Sequence, residues 1–241
     1  MEEQLSTKSI LNLYLMPGVF MTAGYIVLGG YFFTQGYPVL LALLLTIPFV
    51  FLPTFIIHFC RLAKRQNGRL SFKGVILYRE KLSFFQIISY SLLTVILILI
   101  FFAIGSPIDA FLTENLWSKI LPEWFLNKDD ISSFSPIFIV LILILNLVFN
   151  SLIGPIVEEL YFRGYVLPRH EHLGIWSPII NAVLFGLYHF WQPYIYGSVI
   201  LGLIPLTFIA WKKKNIYIAI IAHCTFNLIG FFMLLKSISP F

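Results

Sequence analysis

From Ser9 to Cys60 the chain runs without a single Lys, Arg, Asp or Glu. A soluble helix keeps one charged or polar face toward water, so an uncharged run of this length has no place on the surface of a water-soluble domain. It does fit a bilayer, whose core takes ~20 apolar residues per helix, and it is long enough for two such helices. Gly36-Tyr37-Pro38 is a turn signal between them, which places spans at about 14–34 and 38–59. Further uncharged stretches at about 84–105, 136–162, 175–190, 195–211 and 215–235 bring the expected number to seven. The fifth and sixth are the shortest, and they meet at Trp191-Gln192-Pro193, where proline breaks a helix. Composition agrees: of 241 residues, 59% are hydrophobic and only 11% charged, against about 25% charged in soluble domains. The expected fold is all-α, a polytopic membrane helical bundle of about seven transmembrane helices, organised as a single membrane domain over residues 1–241. No internal repeat or low-complexity linker divides it.

Charge sets the expected orientation. Residues 60–83 hold Arg61, Lys64, Arg65, Arg69, Lys73, Arg79 and Lys81 against Glu80 alone. Residues 106–135 hold Lys119 and Lys128 against Asp109, Glu114, Glu123, Asp129 and Asp130. The positive-inside rule makes the first loop cytoplasmic and the second external. Seven spans then put Arg163, Arg169 and Lys212-Lys213-Lys214 on the cytoplasmic side, with the N-terminus inside and the C-terminus outside. The net charge of +5 is accounted for by topology and anionic lipid headgroups, and it gives no argument for nucleic acid. Met1-Glu2-Glu3-Gln4 lacks the basic start of a signal peptide, and no organellar transit pattern is present, so the expected location is the cytoplasmic membrane. Cys60 falls at a helix end and Cys224 inside the last span, so no disulfide is expected.

Against this background Glu158 and Glu159 stand out, because a carboxylate in the hydrocarbon costs about 2.5 kcal/mol or more unless something compensates it. No other acid is expected beside an apolar span and outside a loop. Glu159 and Arg163 are i,i+4 with the acid first, the favoured order for a helical ion pair, and fit a snorkelling pair at a span end or a support for the site. Glu158 points about 100° away and is left without that partner, so it reads as a proton acceptor. Phe185-x-x-x-His189 closes the fifth span; an isolated histidine there is either hydrogen-bonded core or a catalytic group, with Phe185 placed to pack against its ring. His223-x-x-x-Asn227 puts an imidazole and a carboxamide on one face of the last span, either as an interhelical contact or as two donors aimed at one point. At ~1.5 Å per residue, all three patterns lie about 10–20 Å from the cytoplasmic edge, in reach of one cavity open to that side.

The order Glu-Glu-x-x-x-Arg, Phe-x-x-x-His, His-x-x-x-Asn on successive helices resembles the CAAX protease and bacteriocin-processing (CPBP, or Abi) family of intramembrane endopeptidases. The resemblance covers about residues 135–235, the expected catalytic core, and leaves 1–130 as accessory spans. It implies hydrolysis of a peptide bond in a membrane-associated peptide or protein reached from the cytoplasmic side. In that reading Glu158 activates water, His189 assists, His223 and Asn227 stabilise the oxyanion, and Glu159, Arg163 and Phe185 support them. The substrate classes implied are prenylated proteins and leader or signal peptides. A non-catalytic immunity or partner-binding protein on the same fold is the alternative.

Amide hydrolysis needs a base, an acid for the leaving amine and oxyanion donors, and these residues supply every role. No Ser or Cys is flanked by a base as a covalent route requires. Glu158 acting as a base needs no cofactor, which is the form adopted here. The zinc form would use Glu158, His189 and His223 as ligands, although the compact His-Glu-x-x-His signature is absent. The other histidines read as bland: His170 and His172 solvated beside Glu171, and His58 interfacial. Trp176, Trp191, Tyr194 and Tyr196 read as an aromatic belt.

Overall fold

The computed structural model describes residues 4–126 and 130–238. Met1 to Glu3, Lys128, Asp129 and the C-terminal Phe241, which enter the charge and topology expectations, lie outside the described residues. Six helices are long and apolar enough to cross a membrane. They are α1 (Thr7–Thr34), α2 (Val39–Asn67), α3 (Phe84–Ile120), α4 (Pro136–Leu173), α6 (Pro193–Lys213, opening with a 3-10 turn) and α7 (Ile216–Ile238); the shorter apolar α5 (Trp176–Tyr188) precedes α6. No strand forms among the described residues, only two isolated bridges, Lys73 with Ile76 and Arg79 with Asn215. Val27, Phe49, Ile100, Ile137 and Phe232 lie exposed, which is the lipid-facing surface of a membrane bundle.

Local chemistry explains most boundaries. Gly36, at φ +74°, makes the turn ahead of Pro38, and Gly68, at φ +67°, ends α2 with its N–H on the Lys64 carbonyl. Ser83 and Gln86 form a capping box at the start of α3. Ser135 caps α4 with Pro136 in the first turn.

Several expectations need correction. Helix α3 does not stop near residue 105 but continues to Ile120, two residues short of Pro122. Asp109 is therefore inside a helix, buried, and not in an external loop. Its two carboxylate oxygens accept the backbone N–H groups of Gly197 and Ser198 at 2.6 and 2.9 Å, so the positive end of α6 compensates the charge. The two helices meet closely there because Gly105 faces Gly197: a Cβ at Gly105 would lie 2.5 Å from the Gly197 carbonyl. The fifth expected span contains only the 13 helical residues of α5. At ~1.5 Å per residue that is about 20 Å of the ~30 Å core, and the 189–195 segment carries the chain on to the α6 N-terminus.

The basic 60–83 region is also more than a solvated loop. Val75, Ile76 and Tyr78 are buried, and Arg169 pins the segment by donating to the carbonyls of Val75 and Gly74 at 3.0 Å each. His170 is fully buried rather than solvated, whereas His172 is exposed as expected. Both cysteines are free. One end of the bundle gathers Leu5, whose N–H donates to the Arg169 carbonyl, with Lys214 and Glu171. Toward the other end Ile238 and Phe134 pack against the buried cluster of Leu44, Ile131 and Ile142.

Candidate active site

Glu158 sits where α4 changes its winding. Pro155 has no N–H to give to the ladder and its ring crowds the preceding turn. The helix accommodates it between two π-helical stretches, Asn146–Ile153 and Glu159–Val166, which bracket the short α-helical piece Gly154–Glu158.

The two glutamates flank one imidazole. The His223 Nδ1 lies 2.8 Å from Glu159 Oε1 and its Nε2 lies 3.8 Å from Glu158 Oε2. Glu159 Oε1 also accepts from Arg163 Nη1 at 2.9 Å, and both of those side chains are fully buried, so the pair is not a snorkelling pair at a span end. The Arg163 guanidinium lies 4.1 Å above the centre of the Phe185 ring. The His223 Nδ1–H donates to the same Glu159 oxygen that accepts from Arg163, and Nε2 is turned toward Glu158. At 3.8 Å the second contact is a charge pairing and not a hydrogen bond. The remaining oxygen of Glu158, Oε1, accepts from the Tyr188 hydroxyl.

His189 follows the last residue of α5 at its C-cap, with Nδ1–H donating to the Phe185 carbonyl at 2.9 Å, which leaves Nε2 for the cavity. Phe185 packs against that ring at 5.0 Å as expected. Asn227 Nδ2 donates to the Asn150 carbonyl at 2.8 Å, which leaves one amide N–H for another acceptor.

Glu158, His189, His223 and Asn227 all line one cavity of about 300 Å³, together with Phe185, Asn150 and Gln192. They come from α4, the end of α5 and α7. The rest of the wall is apolar and comes partly from the first 130 residues: Met21, Leu43, Ile47, Phe51, Ile98 and Phe102. Trp191 faces this cavity too, buried with its ring 4.7 Å from that of His189, and is not part of an interfacial belt. Sequence reasoning missed Tyr188, Trp191, Gln192 and Asn150. None of the four is marked in the sequence: Tyr188 is singled out by its burial and its contact with Glu158, which only the fold shows.

Residues 140–229 match the family model described as type II CAAX prenyl endopeptidase Rce1-like. The match covers less than half of the chain. It contains all three motifs and ends two residues beyond Asn227, so the family match and the cavity select the same part of the chain. No curated protein and no solved structure matches the chain.

The zinc form of this chemistry needs Glu158, His189 and His223 around one point. Among the described residues, no group of three or more His, Cys, Asp or Glu side chains is gathered to hold a metal ion.

Proposed function

We propose that the protein is an intramembrane endopeptidase of the CAAX kind, hydrolysing a peptide bond in a substrate that enters the cavity from the cytoplasmic side. The observation that carries the reading is the convergence of Glu158, His189, His223 and Asn227 on one cavity, within the segment matched by the family model.

In this mechanism Glu158 Oε2 takes a proton from water as the water oxygen bonds to the scissile carbonyl carbon. The oxyanion is met by the remaining N–H of Asn227 and by His223 Nε2–H. That second donor requires His223 to be an imidazolium, because its Nδ1–H is already given to Glu159. The proton held by Glu158 then passes to the leaving amine, with His189 Nε2 in the same cavity to assist.

The test uses purified protein and a quenched fluorogenic peptide with a farnesylated CAAX terminus, beside the same peptide without lipid and a leader-peptide probe. Cleavage of the farnesylated probe alone marks a prenyl-protein substrate, and cleavage of the leader probe marks peptide maturation. Asn227→Ala is expected to lower kcat by roughly 10²–10³-fold with little change in KM, as for loss of one oxyanion donor. The same preparation is expected to carry substoichiometric zinc and to resist strong chelators. One zinc per chain that disappears in His189→Ala and His223→Ala would replace this mechanism with a metal-centred one. Full biological activity in Glu158→Ala without any cleavage would favour a partner-binding or immunity protein instead.

The orientation proposed is the one set by loop charge, with the Arg169 and Lys214 end of the bundle in the cytoplasm. A reporter inserted within 66–75 is expected to be cytoplasmic and one fused after Phe241 external. Both reporters on the same side would mean that α5 with the 189–195 segment fails to cross the bilayer.

A further inference from the structure

We propose that Tyr188 is a positioning residue for the base: its phenol holds Glu158 Oε1 so that Oε2 alone is the proton-accepting oxygen. The proposal rests on the reading of Glu158 as the base. Tyr188 is the last residue of α5 and is fully buried. Its ring is held on several sides, with centroids 5.0 Å from Phe162, 5.1 Å from Phe185, 4.4 Å from His189 and 5.0 Å from Trp191. Behind it, α1 closes on the backbone: a Cβ at Gly18 would overlap the Tyr188 carbonyl oxygen. A phenol so enclosed has one polar atom, and that atom donates to Glu158 Oε1.

The consequence is chemical asymmetry in the carboxylate. Terminal carboxylate torsions are broad, so an unrestrained Glu158 would present either oxygen to the cavity at random. With Oε1 engaged by Tyr188, Oε2 is the oxygen turned to His223 Nε2, where the water is activated. In the transfer the water O–H bond breaks, the Oε2–H bond forms and the hydroxide oxygen bonds to the carbonyl carbon. Tyr188 keeps its own proton throughout.

Tyr188→Phe removes one oxygen atom and keeps the ring packing. With the farnesylated CAAX peptide as probe, kcat is expected to fall roughly 10–100-fold while KM stays within about twofold, the loss expected of a hydrogen bond to a charged group. Incorporating 3-fluorotyrosine at position 188, which restores the donor, is expected to restore kcat. Thermal unfolding in detergent checks that the variant is folded. A second readout needs no turnover: the infrared carboxylate band of Glu158, isolated as the difference from Glu158→Gln, is expected to move in Tyr188→Phe. Wild-type kcat in Tyr188→Phe, an unmoved Glu158 band, or a loss of activity that only follows loss of folded protein would each overturn the proposal. Undiminished cleavage by Glu158→Gln would overturn the base assignment itself, and a normal loss in Glu158→Gln beside a normal Tyr188→Phe would overturn only the role of the phenol.

Discussion

Glu158→Gln is expected to remove cleavage of the probe peptide, by roughly 10²–10⁴-fold for the loss of a general base, while the protein still folds. The substitution keeps the shape and the oxygen that accepts from Tyr188. Glu159→Gln should behave in the opposite sense. Glu159 Oε1 is shared by Arg163 and His223, and Arg163 is fully buried with Glu159 as its ion-pair partner among the described residues and the Phe185 ring beneath its guanidinium. Breaking a buried pair by removing one partner costs about 3–5 kcal/mol, so this variant should lose stability first. Activity falls with it because His223 loses the acceptor that holds its Nδ1–H and so aims Nε2 into the cavity. Thermal unfolding and turnover measured on both variants decide the matter, and an exchange of the two phenotypes would mean that base and support are assigned the wrong way round.

The second large effect is expected outside the matched segment, at Gly18. An alanine there has to move the Tyr188 carbonyl, since its Cβ would overlap that oxygen and stand 3.1 Å from the Phe190 ring. The obstacle is backbone, which gives way less readily than a side chain, so a cost of about 1–3 kcal/mol or more is expected. Because Tyr188 and His189 are displaced together, kcat should fall as well. Gly30→Ala is the control on the same helix: its nearest neighbour would be the Trp124 ring at 3.9 Å, and alanine normally stabilises a helix interior by up to about 1 kcal/mol over glycine. If the two variants unfold and turn over alike, the close approach of α1 to the site has no functional weight.

The motifs are legible in the sequence because each is a local spacing on one helix. Glu158, Glu159 and Arg163 are separated by fixed turns, and the cost of charge in hydrocarbon makes them conspicuous by their residue types alone. Asp109 is deceptive because Pro107 and the charges that follow look like the start of a loop. The chain instead stays helical to Ile120, and the acid is satisfied by the N-terminus of a helix distant in sequence, which no local pattern reveals. His170 deceives for a related reason. Its neighbours Arg169, Glu171 and His172 read as solvated, whereas Arg169 itself is turned inward to bind the Val75 and Gly74 carbonyls. Tyr188 is one of 12 tyrosines, and only the tertiary fold singles it out. The apolar wall supplied by α1, α2 and α3 is likewise out of reach of sequence reasoning, since residues 1–130 carry no motif and their cavity-facing side chains differ in nothing from those facing lipid.

The paired π-helical stretches around Glu158 have a consequence for how such a site can change over time. A π turn holds more residues than an α turn, so each stretch acts as extra chain length absorbed inside a continuous rod. Deleting one residue from Asn146–Ile153 or Glu159–Val166 allows the rod to continue as plain α-helix with little rotation of the part beyond, because the wide turn had already absorbed that residue. A one-residue insertion or deletion, which in a plain transmembrane helix turns everything beyond it by about 100°, is here absorbed in the wide turn, so the residues on its far side keep their aim relative to Glu158. Lineages carrying this core are therefore expected to differ at these two stretches in length as well as in side chain, with the Gly154-Pro155 corner as the fixed point between them.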